Sequence, residues 1–278
     1  MTKGVLLFAF NNEEINYIRV AQFAAKRISN FLDKPISLVT DSISRDSITE
    51  NELFDKIILV DDLKNFSVKS FNNGTSLSKK ASWKNHSRYQ SFDLTPYDET
   101  LVLDVDYIIN SKTLNYCWNQ PHDFLIYKKS FDLAGWRNTK EFSLVSDYSI
   151  PFYWATAFYF KKNENTENFF SLVNYIKNNW QYYKFLYHID GDKFRNDYAF
   201  SIAIHMMNGL SEGDFAKEFP GKMFYALDID HFLKEKNNSL YFLIQKENKQ
   251  GEYLPAKITG IDVHVMNKYS LMELSRHE

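Results

Sequence analysis

Along the first 110 residues, apolar runs alternate with stripes of helical period. Residues 5–10 form an unbroken apolar run that suits one buried strand. Asn12 follows as an N-cap, with Glu13 and Glu14 in the first turn. Ile18, Ala21, Ala25, Ile28 and Leu32 then recur on one helical face. Residues 36–40 and 56–60 read as two further short strands, closing on Thr40-Asp41 and Asp61-Asp62. Residues 62–82 are polar, contain Asn72-Asn73-Gly74 and show no sustained period, so they read as a mobile loop able to act as a lid. A helix from about Trp83 to Phe92 leads through Thr95-Pro96-Tyr97-Asp98 into Leu101-Val102-Leu103. The absence of alternation in that last run suits a central strand covered on both faces.

The second half is less regular. Residues 151–162 read as a long aromatic strand and residues 166–187 as an amphipathic helix. Asn196 reads as the cap of a helix over 197–207 that stops at Asn208-Gly209. Short strands are expected at 223–227, 240–245 and 261–266. No repeat, low-complexity tract or separating linker interrupts the chain, and the alternation of strands with helices points to α/β architecture.

Composition narrows the classes of function. With 33 basic and 35 acidic residues the formal charge is −2, so the chain has no general attraction for nucleic acid or anionic membrane and must grip any polyanion locally. A single cysteine, Cys117, leaves no internal disulfide framework. The apolar part of the opening segment is too short for a signal peptide or membrane span, and a cytoplasmic setting is the expectation. The 24 Phe, 18 Tyr and 5 Trp could stack on sugars or bases, but a compositional origin explains them more simply. Trp136, Tyr153 and Trp154 are the acceptor-side aromatic candidates.

The most informative chemistry is Asp104-Val105-Asp106 at the end of the apolar run. Two carboxylates so close repel unless a cation or proton compensates them, and hard oxygen donors favour Mg2+ or Mn2+. A solvated strand end with a turn-forming Asp is the plainer alternative.

The order of these pieces resembles the GT-A fold of nucleotide-sugar glycosyltransferases, in particular the family of glycogenin and the bacterial lipopolysaccharide galactosyltransferases. The resemblance is carried by Tyr97-Asp98-Glu99-Thr100-Leu101-Val102-Leu103-Asp104-Val105-Asp106, by Asn196-Asp197-Tyr198-Ala199-Phe200, and by His264-Val265-Met266-Asn267-Lys268. The family's glycine after the His, its proline-tryptophan after the Lys and its glutamine beside the helix-opening acid are absent here. The resemblance implies a single Rossmann-like domain with a central mixed, mostly parallel sheet flanked by helices. Residues 1–110 would be the nucleotide-sugar-binding half and residues 111–278 the acceptor-binding and metal-completing half.

It further implies Asp104, Asp106 and His264 as the metal set for Mn2+ (or Mg2+), with Asp104 alternatively touching ribose or a metal-bound water. Lys268 would contact the diphosphate of a UDP-sugar donor, and Asp197 would orient the sugar or stabilise charge on its ring. Phe10, Asn11, Tyr17 and Asp41 would line the nucleoside pocket, and Lys84 and Arg88, one helical turn apart, would reach an Asp or a phosphate. A lone His beside apolar residues is more often structural, and Asp197 could simply favour the helix dipole. Transfer with retention to an acceptor hydroxyl is the implied reaction.

The acceptor reads as DNA or a cell-surface glycan. A looser similarity in style to tailed-phage glycosyltransferases favours a hydroxylated base in phage DNA, with basic clusters such as Lys79-Lys80-Lys84-Arg88, Lys128-Lys129 and Lys161-Lys162 gripping phosphates. Rival readings are a metal-dependent nucleotidyltransferase or nucleotide-sugar hydrolase, and a non-catalytic carbohydrate- or nucleic-acid-binding module. Asn11-Asn12-Glu13-Glu14 lacks the glycines and basic residues of a phosphate loop, which counts against the first of these.

Overall fold

The computed structural model describes residues 1–60, 67–72, 78–84, 87–137, 143–147, 149–191 and 193–275. Asp61-Asp62, parts of the segment 62–82 and Asp192 therefore lie outside the described residues. Strand β1 (Lys3–Phe8), helix α1 (Tyr17–Leu32), strand β2 (Ile36–Thr40), helix α2 (Ser42–Arg45) and strand β3 (Lys56–Leu59) run in the order the pattern predicts. The expected α1 stripe of Ile18, Ala21, Ala25, Ile28 and Leu32 is buried. The helix starts later than expected, however. Asn12 closes a local turn, its side-chain oxygen accepting the Glu14 and Ile15 N–H groups, and Asn16 caps the helix by accepting from Arg19 N. A short polar side chain that can bond its own neighbours competes with the helix in this way.

The segment expected as a loop instead contributes an antiparallel hairpin of β4 (Ser67–Asn72) and β5 (Ser78–Trp83). Its ladder is made by backbone groups, and burial of Phe71 and Ala81 holds it down without needing an alternating sequence. Because Trp83 stays in that ladder, no helix spans 83–92; a 3-10 turn over Ser87–Gln90 and the short α3 (Ser91–Leu94) lead to β6 (Glu99–Asp104) instead.

Past β6 come β7 (Tyr107–Ile108), β8 (Phe124–Tyr127), β9 (Ser130–Asp132) and β10 (Trp154–Lys161). The expected long helix divides at Asn179 into α4 (Glu164–Asn178), opened by an Asn163–Thr166 capping box, and α5 (Trp180–Leu186). Helix α6 (Asn196–Met207) has Arg195 at its N-cap position, so Asn196 lies inside the helix and does not cap it. The rest comprises β11 (Lys217–Glu218), β12 (Met223–Ala226), β13 (His231–Lys236), β14 (Ser239–Gln245), β15 (Tyr253–Thr259), β16 (Val263–Val265) and α7 (Lys268–Leu274).

The main sheet has the order β3-β2-β1-β6-β10-β8-β11, and all of its strands run parallel except β10. It is thus a mixed, mostly parallel α/β sheet. Leu101, Val102 and Leu103 of β6 are all but fully buried, each contributing roughly 1.5–3 kcal/mol of hydrophobic stabilisation. Helices α4 and α6 pack on β8 and β10 through phenylalanines, with ring centroids 4.6 Å apart for Phe124–Phe169, 4.9 Å for Phe158–Phe200 and 4.8 Å for Phe160–Phe170. Much of the aromatic surplus is therefore core. The chain moves outward from β1 to β2 and β3, then returns to add β6 on the other side of β1, so the order reverses between β1 and β6. A crevice opens at the carboxyl ends of strands at such a reversal.

A second sheet, β7-β16-β12-β9, begins where the first leaves off. Asp104 ends β6, and Asp106 precedes β7. Strand β16 pairs antiparallel with β7, setting His264 opposite Tyr107, and Val265 N donates to Asp106 O at 2.8 Å. Backbone register alone thus brings a late His beside a mid-chain Asp. Arg137 fastens this layer: its guanidinium forks onto Asp132 at 2.6 Å and Asp230 at 2.7–2.9 Å, while Asp230 also accepts the Leu227 and Gln245 N–H groups. The meander β13-β14-β15 packs beyond it; of its strands, the sequence pattern predicts only β14. Among the described residues no helix is long and apolar enough to cross a membrane.

Candidate active site

At the reversal between β1 and β6 lies a cavity of about 500 Å3. Phe8 and Phe10 at the exit of β1, Asp104 and Asp106 at the exit of β6, and His264 of β16 all line it. One oxygen from each carboxylate and one imidazole nitrogen lie within 4.8 Å of one another. Ligands at 2.0–2.2 Å from a single ion sit no more than about 4.4 Å apart, so a closure of a few tenths of an ångström would let all three share one. Asp106 Oδ1 faces His264 Nε2 at 3.5 Å and, though buried, has no hydrogen-bond partner among the described residues. Such an atom is suited to a ligand bond. Two carboxylates with one imidazole is a donor set that fits Mn2+ and, with a less favourable nitrogen, Mg2+.

Electrostatics favour the ligand forms. Burial alone would raise the Asp106 carboxyl, but the Lys268 ammonium and then the His264 ring outweigh it and hold the group far below the usual carboxylate range. Lys268 pairs directly with Asp106 Oδ2 and donates to Val265 O at 2.9 Å. Burial pushes His264 down, with Asp106 opposing, so the imidazole is neutral near pH 7 and keeps a lone pair for a metal. Arg88, only 4% exposed, pairs with Asp104 and donates to Ala155 O at 2.6 Å. The N–H of Ala155 in turn donates to Asp197 Oδ1 at 3.0 Å, and Arg195 holds Asp197 Oδ2 at 2.9 Å. A continuous polar chain therefore links Asp104 through Arg88 and one residue of β10 to Asp197 in the first turn of α6.

Of the residues expected from the sequence, Asp104, Asp106, His264, Lys268, Asp197, Lys84, Arg88, Phe10 and Tyr17 all line this cavity. Two residues expected in the nucleoside pocket do not. Asn11 is turned toward α1 and α2, donating to Ser47 Oγ and accepting from Ile18 N. Both oxygens of Asp41 are occupied, one by Ser44 N as the cap of α2 and the other by Lys84 at 3.0 Å. Lys84 and Arg88 do not share a helix, since Lys84 directly follows β5 and Arg88 lies in the 3-10 turn; each nonetheless reaches a carboxylate, as one of the expectations held. Trp154 is buried against His264 with ring centroids 6.2 Å apart and also lines the cavity, whereas Trp136 is exposed and Tyr153 is not part of the wall. The lysine pairs expected to grip DNA are mostly engaged elsewhere: Lys79 on Glu14, Lys129 on Glu218, and Lys161 and Lys162 on backbone carbonyls.

Sequence reasoning missed four charged members of the wall, Lys69, Lys193, Arg195 and Asp228. Arg195 stands directly before Asn196-Asp197 and Asp228 just after an expected strand, so position relative to elements offered a signal for both. Lys69 had none, because its segment shows no period. Burial raises the Asp228 carboxyl, with Lys69 and Lys268 pulling it back.

No protein-family model matches the chain, and no curated protein matches it. Among solved structures it is similar to galactosyltransferase LgtC in complex with donor and acceptor sugar analogs, at 14% identity and a TM-score of 0.46 over 84% of this chain and 76% of that one. It is also similar to the glycosyltransferase GlyE of Streptococcus pneumoniae TIGR4, at 13% identity and a TM-score of 0.41, covering 78% of this chain but only 45% of GlyE. A third similarity is to 4-diphosphocytidyl-2C-methyl-D-erythritol synthase from Anaerococcus prevotii DSM 20548, at 14% identity and a TM-score of 0.38 over 78% of this chain and 87% of that one.

Proposed function

We propose that the chain is a metal-dependent glycosyltransferase that moves a sugar from a UDP-sugar to an acceptor hydroxyl with retention of anomeric configuration. The observation that carries this reading is the meeting of Asp104, Asp106 and His264 at the wall of one cation-rich cavity, where the strand order reverses. Asp106 and His264 would hold Mn2+, with Asp104 either completing the set or touching ribose. When bound, the ion supplies Lewis-acid stabilisation of the negative charge that develops on the departing diphosphate. Lys268, paired with Asp106, would add positive charge on the same side. Phe10 and Tyr17 offer the apolar wall for the nucleoside. Asp197, fixed by Ala155 N and Arg195, faces the sugar and stabilises positive charge on its ring in an oxocarbenium-like transition state. The bond from the anomeric carbon to the diphosphate breaks, the bond to the acceptor oxygen forms, and the hydroxyl proton leaves with the diphosphate.

For the acceptor we propose a hydroxylated base in phage DNA, with a cell-surface glycan as the other candidate. The test is incubation with a panel of nucleotide sugars and Mn2+, together with hydroxymethylated DNA or an oligosaccharide, followed by mass analysis. Sugar addition that stops with EDTA is expected. A chain that consumes no nucleotide sugar with either acceptor, and binds no UDP, is not this enzyme.

A further inference from the structure

The cations around the cavity are not equivalent. Arg88, Arg195 and Lys268 each pair with a carboxylate of the wall, and Lys84 pairs with Asp41 behind it. Lys69 and Lys193 differ: among the described residues neither makes an ion pair or a side-chain hydrogen bond, and of the two the one flanked by aromatic rings of the wall is Lys69. Its side chain leaves β4 beside the ring of Phe71, with Nζ 5.9 Å from that centroid and 5.5 Å from the centroid of Trp83. Both rings belong to the hairpin and line the cavity with it. Lys69 is solvent-exposed on the cavity wall. Burial, and then repulsion from Lys268 and Arg195, push its ammonium down to about 8, against the weaker pull of Asp106 and Asp228. A cation among cations and without a partner is stabilised when an anion enters.

We propose that Lys69, presented by the β4–β5 hairpin, is a binding residue for the diphosphate of the donor. This rests on the nucleotide-sugar reading above and adds to it a residue that no motif in the sequence marks. On that reading the anion is a diphosphate because Lys69 lines the same cavity as the metal set and Lys268 and lies within electrostatic reach of Lys268 and Asp106. The two aromatic rings keep the lysine stem extended, so little side-chain freedom is lost on binding.

The experiment is calorimetric titration of UDP in the presence of Mn2+ into the full chain, its Lys69→Ala variant and its Lys69→Arg variant, with displacement of UDP by uridine as the second measurement. Lys69→Ala should weaken UDP binding about ten- to hundredfold, the range of a charge-assisted contact, and leave the affinity for uridine and the melting temperature unchanged. Lys69→Arg should restore most of the loss. Equal UDP affinity in the wild type and Lys69→Ala overturns the proposal while leaving the donor reading in place. An equal loss for UDP and uridine overturns it too, since that marks a displaced hairpin. A wild-type chain that binds no UDP with Mn2+ overturns the donor reading and this inference together.

Discussion

Replacing Asp106 with asparagine is expected to abolish sugar transfer, by at least about 100-fold, or roughly 2.7 kcal/mol of transition-state stabilisation. The side chain keeps its shape, so the loss reports charge. Against its burial, the Lys268 ammonium holds the Asp106 carboxyl far below the usual carboxylate range, and Asp106 stands between the two groups that would hold the ion and the phosphate, His264 and Lys268. The change has a second consequence. Lys268, partly buried beside Asp106, loses its counter-charge, and the fold should lose about 1–3 kcal/mol. His264→Ala separates the two effects, because it leaves the Asp106–Lys268 pair intact. It should remove Mn2+-stimulated UDP binding with a smaller drop in melting temperature. Turnover retained by either variant at limiting Mn2+ would take that residue out of the proposed metal set.

The largest effect on stability is expected at Arg88. Its guanidinium is buried, pairs with Asp104 and donates to the carbonyl of Ala155. Arg88→Ala removes a buried guanidinium, strands the partly buried Asp104 carboxylate and leaves that carbonyl without its donor, changes that together cost about 3–5 kcal/mol. In a chain of this size, that corresponds to a fall of roughly 6–15 °C in melting temperature. Because Asp104 belongs to the proposed metal set, excess Mn2+ should recover more of the loss in Arg88→Ala than it adds to the wild type. Thermal denaturation with and without Mn2+ measures both quantities. If Mn2+ stabilises the two proteins equally, Asp104 takes no part in holding the ion. Activity should fall as well, since the route from Asp104 to Asp197 runs through this side chain.

The alternation of strand and helix was legible in the first 60 residues because burial there is one-sided in α1 and two-sided in β1 and β2, and each leaves its own period. The hairpin was not legible. Its pairing is carried by backbone groups, and only Phe71 and Ala81 are firmly buried, too few for a period to show. The division at Asn179 was invisible for a related reason: Trp180 and Tyr183 continue the buried stripe of α4 beyond the break. At the site, the local motif supplied Asp104 and Asp106. His264 and Lys268 were named through a family resemblance, because nothing local connects them to mid-chain carboxylates. What joins them is the β7–β16 register, a long-range pairing that two short apolar strands cannot announce. Asn11 and Asp41 stay outside the cavity wall for the opposite reason. Each sits at a strand exit, where a ligand contact is expected, but their short polar side chains are used up by nearby N–H, hydroxyl and ammonium groups.

The catalytic reading requires one ion shared between the exit of β6 and strand β16. Crystals grown with Mn2+ and UDP, measured at the manganese absorption edge, test it most directly. A single anomalous peak is expected within about 2.0–2.3 Å of an Asp106 carboxylate oxygen and of His264 Nε2, with the diphosphate completing the coordination. UDP bound in the cavity with no such peak, or with the ion held away from His264, would contradict it.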